Sequence, residues 1–99
     1  MNYISLPKRI ILLTIHMQIS GKVQGVFFRA NACKVAEKYG LKGWIKNTNE
    51  GDVETVVVGE EDSVKKFIDW CKIGPPKARV MNVLVNNLPP AIFNEFSVF

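Results

Sequence analysis

One histidine, His16, and two cysteines, Cys33 and Cys71, are all that this chain offers of those two residue types. Neither cysteine has a Cys or His nearby to complete a metal-ligand set. Both fall at apolar positions of predicted helices, which reads them as small buried hydrophobes; a disulfide or a reactive thiol is the alternative. His16 alternates outward on a predicted strand, so a histidine nucleophile or base is disfavoured and no Ser-His-Asp set can be assembled. No apolar run is long enough to span a membrane. The segment from Lys8 to Leu13 resembles the start of a secretion signal, but Thr14 and His16 break its apolar run and no small-residue cleavage site follows. A cytoplasmic protein with an N-terminal strand is therefore expected. Repeats and low-complexity tracts are also absent.

What is present suits one compact domain: 99 residues, 47% of them hydrophobic, enough for a single core and no second one. Any site must then be built from this chain or its oligomer. Thirteen Lys and Arg against nine Asp and Glu give a net charge of +4 and a pI near 9.2. Because the basic residues are spread along the chain, they favour small anionic ligands or mild attraction to polyanions and make no strong nucleic-acid signature.

The order of elements follows from periodicity. Leu13, Ile15, Met17 and Ile19 alternate with polar residues, predicting a half-buried first strand. Phe28, Ala32, Val35, Ala36 and Tyr39 recur at helical spacing before Gly40, which stops the first helix. Leu41 to Thr48 reads as a second strand, Asn49-Glu50-Gly51 as a tight turn, and Val53 to Val58 as the third strand of a hairpin. Glu60, Glu61 and Asp62 open a second helix with Val64, Phe67, Ile68 and Cys71 on one stripe, ended by Gly74-Pro75-Pro76. A fourth strand is expected over Ala78 to Val85 and a short last one over Phe93 to Val98. The pattern is an α+β, ferredoxin-like βαββαβ sandwich: an antiparallel sheet with two helices on one face and a short extra C-terminal strand. A right-handed crossover places the third strand between the first two. The ends of those two strands then lie on one edge of the sheet, bringing the loop after the first strand toward Lys46-Asn47-Thr48.

That loop, Gly21-Lys22-Val23-Gln24-Gly25-Val26-Phe27-Phe28-Arg29, admits two readings. In one, the glycines let main-chain N–H groups turn inward at a helix entrance and the Arg29 guanidinium closes an anion site. In the other, it is an ordinary glycine-rich turn with a surface Arg29. Trp44 either covers a bound ligand or packs on the sheet. Gly43 and Gly51 read as close-packing and hairpin glycines, and Lys22, Lys42 and Lys46 as solvated charges or contributors to the local potential.

Taken together with Gly40-Leu41-Lys42-Gly43-Trp44-Ile45-Lys46-Asn47-Thr48, Gly51, Gly74-Pro75-Pro76-Lys77-Ala78-Arg79-Val80 and Phe96-Ser97-Val98, the loop resembles the acylphosphatase family over roughly residues 13 to 98. The resemblance implies hydrolysis of acyl phosphates to a carboxylate and inorganic phosphate, with no metal and no organic cofactor. It also implies that Arg29 and the main-chain amides of Gln24, Gly25, Val26, Phe27 and Phe28 bind the phosphate. Asn47 would hold the attacking water. The partners implied are a small-molecule acyl phosphate and inorganic phosphate, with no nucleic acid and no membrane, and the protein is expected to be a monomer. The chain departs from the family pattern at Ala32, where many members carry a hydroxyl residue. It also departs over residues 1–9, expected to form a flexible extension to a domain spanning 10–99. A noncatalytic phosphate sensor keeps the same cradle; an RNA-binding module of the same topology should carry stacking aromatics that Thr14, His16 and Gln18 do not supply. A domain cooperating with a carbamoyl-transferring partner is a third alternative.

Overall fold

Alternating apolar residues form an interior strand of the sheet, β1 (Leu12–Lys22), in the computed structural model, which describes residues 10–99. The expected extension, residues 1–9, lies outside the described residues. The helical stripe that follows becomes α1 (Phe28–Lys38), burying Phe28, Ala32 and Ala36. Leu41 N–H returns to Ala36 O at 2.8 Å and ends the helix at the expected glycine, Gly40. The hairpin is β2 (Lys42–Asn47) and β3 (Val53–Glu60). The second helix, α2 (Glu61–Ile73), carries Glu61 and Asp62 in its first turn and buries Val64, Phe67 and Cys71. Then come β4 (Arg79–Asn87) and β5 (Phe96–Val98).

The strands order β4-β1-β3-β2-β5, with β3 between the first two as the crossover requires. One expectation is corrected: β5 runs parallel to β2, so the sheet is mixed and not wholly antiparallel. The direction follows from the preceding strand. Because β4 is antiparallel to β1, it ends beside the start of β1, where Asn87 pairs with Ile15. The chain therefore begins its crossing at the end of the sheet where β2 also starts, and β5 can only run alongside β2.

Both helices cover the face presented by Ile15, Met17, Ile19, Ile45, Val53 and Val57, and this is the core. Phe28 meets Trp70 edge-on at 5.3 Å and Phe67 meets Phe96 at 6.1 Å, tying helices and β5 into the same cluster. The opposite face carries a polar group in which His16 Nε2 donates to Glu54 Oε2 at 2.8 Å and Gln18 Nε2 donates to Asp52 Oδ2 at 2.8 Å. Two features position the site. Ile19 of β1 and Asn47 of β2 both pair with Val53, so Asn47 lies level with Ile19, and β1 continues past it along β4 to Lys22. A bulge between Ser20 and Gly21 then re-aims β1 into the following loop.

Candidate active site

Between Lys22 and α1 the backbone φ alternates in sign, positive at Gly25 (73°) and Phe27 (65°) and negative at Gln24, Val26 and Phe28. That alternation turns successive N–H groups toward one side of the chain, making an anion-binding concavity. Among the described residues, none of the N–H groups from Gln24 to Phe28 donates a hydrogen bond. Val23, Val26 and Phe28 are buried and hold the loop down from below. A Cβ on Gly25 would meet nothing within 4 Å, so the glycine there serves the backbone angle and leaves the concavity open. Phe27 is the N-cap of α1, and its carbonyl accepts from both Asn31 N–H (3.1 Å) and Asn31 Nδ2 (2.9 Å).

Arg29 stands in the first turn of α1, half-buried, and its Nη1 donates to Phe99 O at 2.5 Å. Phe99 N–H in turn donates to Ile45 O at 2.9 Å, so the end of the β2–β5 ladder supports the guanidinium. Asn47 is the last residue of β2, and its Oδ1 is buried with no hydrogen-bond partner among the described residues. An orphaned acceptor of this kind is expensive in an apolar surrounding and is characteristic of places that receive a ligand or water. Gly25, Phe27, Arg29 and Asn47 line one cavity of about 450 Å³, walled on its apolar side by Val23 and Val98. Phe28 also lines it. Gln24 and Val26, expected for their amides, do not: Val26 packs into the core and Gln24 sends its side chain elsewhere.

Gln24 Nε2 donates to Thr48 O and to Asp52 O, each at 2.8 Å. This side-chain role was not foreseen, and neither were Val98 and Phe99; a glutamine amid glycines, or two apolar residues after Ser97, carries no local sequence signal of it. Trp44 lies half-buried outside this cavity, with Lys46 Nζ 5.5 Å from its ring centroid and Phe99 nearby. The expectation that both cysteines are buried is corrected for Cys33. It is half-exposed and donates to Glu37 Oε1 at 3.0 Å, because it sits a helical step away from the buried Ala32. Desolvation, then the Glu37 hydrogen bond and charge, push its thiol up to about 11, and burial pushes Cys71 upward as well. Both cysteines are free, and neither is a ready thiolate.

Comparison with known proteins identifies the family to which this fold and sequence belong. The sequence model of the acylphosphatase family matches residues 15–98. An acylphosphatase from Pyrobaculum calidifontis is 46% identical over 89 residues, covering 88% of this chain and 81% of that protein. The solved acylphosphatase of Coxiella burnetii superimposes with a TM-score of 0.86 at 44% identity, over 89% of this chain and 93% of that one. The Bacillus subtilis acylphosphatase does so with 0.85 at 31% identity, over 90% and 99%. No helix among the described residues is long and apolar enough to cross a membrane. With motif, fold and relatives in agreement along nearly all of its described length, this chain belongs to the acylphosphatase family and is a hydrolase of acyl phosphates.

Proposed function

We propose that hydrolysis proceeds by attack of a water, held by the Asn47 side-chain amide, on a phosphoryl group gripped by Arg29 and the N–H groups of Gln24, Gly25, Val26, Phe27 and Phe28. The observation that carries this reading is the shared cavity: one guanidinium, one carboxamide and a loop of alternating φ meet in about 450 Å³. The water oxygen bonds to phosphorus as the bond from phosphorus to the acyl oxygen breaks. A dianionic acyl phosphate and water thus give a carboxylate and dihydrogen phosphate, and atoms and charge balance. A carboxylate leaves readily without a general acid, and a loose phosphoryl-transfer transition state needs chiefly placement and charge stabilisation. Arginine and amides supply the charge stabilisation; asparagine supplies the placement. Among the described residues, Arg29 is the only ionisable side chain lining the cavity, and His16 is on the far face of the sheet beside Glu54. The rate is accordingly flat across neutral pH.

Steady-state hydrolysis of benzoyl phosphate by folded variants tests the assignment. Arg29→Ala loses at least ~10²–10³-fold in kcat/KM, the range for removing one transition-state donor. Asn47→Ala lowers kcat while inhibition by inorganic phosphate is retained, because it orients water and not the anion. Near-parental kcat/KM for Arg29→Ala, or weakened phosphate inhibition with unchanged kcat for Asn47→Ala, reverses the respective role.

A further inference from the structure

The phosphate cradle and Asn47 belong to different loops, and nothing in their covalent connection fixes the distance between them. Twenty-odd residues and all of α1 separate the two. Gln24 bridges that gap. Its Nε2 carries two hydrogens, and both are used: one on Thr48 O and one on Asp52 O, each at 2.8 Å. The orientation of this amide is forced, since the opposite assignment would set its oxygen against two carbonyl oxygens. The two acceptors are the two ends of the turn joining β2 to β3. Asp52 O also receives Thr48 N–H (2.9 Å), Thr48 O receives Gly51 N–H (3.3 Å), and Asp52 N–H donates to Thr48 Oγ1 (3.1 Å). The turn is therefore closed on itself, and Gln24 fastens a rigid unit rather than a loose loop. Asn47 immediately precedes that unit.

We infer that Gln24 is a positioning residue: its side chain ties the phosphate cradle to the β2–β3 turn and so sets where Asn47 holds water relative to phosphorus. This rests on the roles proposed above for Asn47 and for the cradle amides. An in-line attack tolerates little error, and a misplacement of about 1 Å costs on the order of 10²-fold in rate. The main-chain N–H of Gln24 serves the anion while its side chain serves the spacing, so one residue joins the two halves of the site.

The experiment is a double-mutant cycle on benzoyl phosphate hydrolysis. Gln24→Met keeps the length of the side chain and removes both donors. It lowers kcat by about 10–100-fold, with inhibition by inorganic phosphate little changed. In an Asn47→Ala background the same substitution costs almost nothing more, because the group it positions is gone. A second variant, Gln24→Glu, sets a carboxylate opposite the two carbonyls. Its kcat is low at pH 8 and rises toward pH 5 as protonation restores one donor, whereas the parent profile is flat. This variant reports independently should Gln24→Met fail to fold. Equal losses from Gln24→Met in both backgrounds, or a flat profile for Gln24→Glu, overturn the inference and leave the role of Asn47 standing. Full activity of Asn47→Ala alone overturns the underlying assignment instead.

Discussion

Phe27 has a positive φ without being glycine, alone in this among the described residues, and its ring is 74% exposed, so packing is not what holds it there. A left-handed angle costs an L-residue about 1–2 kcal/mol, and the double acceptance from Asn31 is what fixes it. The angle is one of the alternations that turn the cradle amides to one side, so backbone and ring can be separated by substitution. Phe27→Gly adopts the same angle freely and keeps stability and kcat/KM near the parent. Phe27→Val, β-branched, loses about 1–2 kcal/mol in urea unfolding and also loses kcat/KM. If the glycine variant is the inactive one, the ring and not the angle is the functional element. At this scale the sequence pointed to residues by their identity in a motif, and Arg29 and Asn47, singled out in that way, line one cavity. For Gln24 only a main-chain role was expected. Its side chain acts on carbonyls of a turn distant in sequence, and a carbonyl has no residue type to be recognised by.

Among the elements, β2 illustrates how tightly the strand carrying Asn47 is set. Gly43 is a close-packing glycine, since a Cβ there would stand 1.9 Å from Val56 O on β3. Gly43→Ala must push β2 away from β3 or abandon a φ of 138°. We expect a loss of at least about 2 kcal/mol by thermal or urea unfolding, from overpacking and backbone strain together. Activity falls with it, because Asn47 ends the displaced strand. An unaltered unfolding midpoint contradicts this. Apolar alternation identified β1 and the helical stripes identified α1 and α2, since those signals are local. Strand limits were less legible. β3 reaches Glu60 because β1 extends opposite it to Leu12, and β4 runs to Asn87 against Ile15; a strand is as long as its partner allows. The parallel direction of β5 depended likewise on where β4 leaves the chain, a property of the assembled sheet.

On the scale of the molecule, the helices shield one face of the sheet and the other meets solvent through a charged cluster. The hydrogen bond from His16, opposed by desolvation and aided by Lys46 at 3.4 Å, holds the Glu54 carboxyl below its usual range. A carboxyl lowered in the folded state contributes stability that is complete above its unfolded value of about 4.5 and is lost as pH falls through the lower folded one. Chemical unfolding midpoints should therefore decline on acidification below about pH 4.5, and Glu54→Gln should reduce that decline while leaving the neutral rate on benzoyl phosphate unchanged. An acid limb identical in parent and variant removes Glu54 as its source.

The cavity draws its walls from Val23 near the first quarter of the chain, Asn47 near the middle and Val98 almost at the last residue. Such a pocket has no local precursor, so no fragment of the polypeptide can be partly competent. During refolding, catalysis returns only once β5 has paired with β2 and brought Val98 to the cavity, so enzymatic recovery times that long-range pairing.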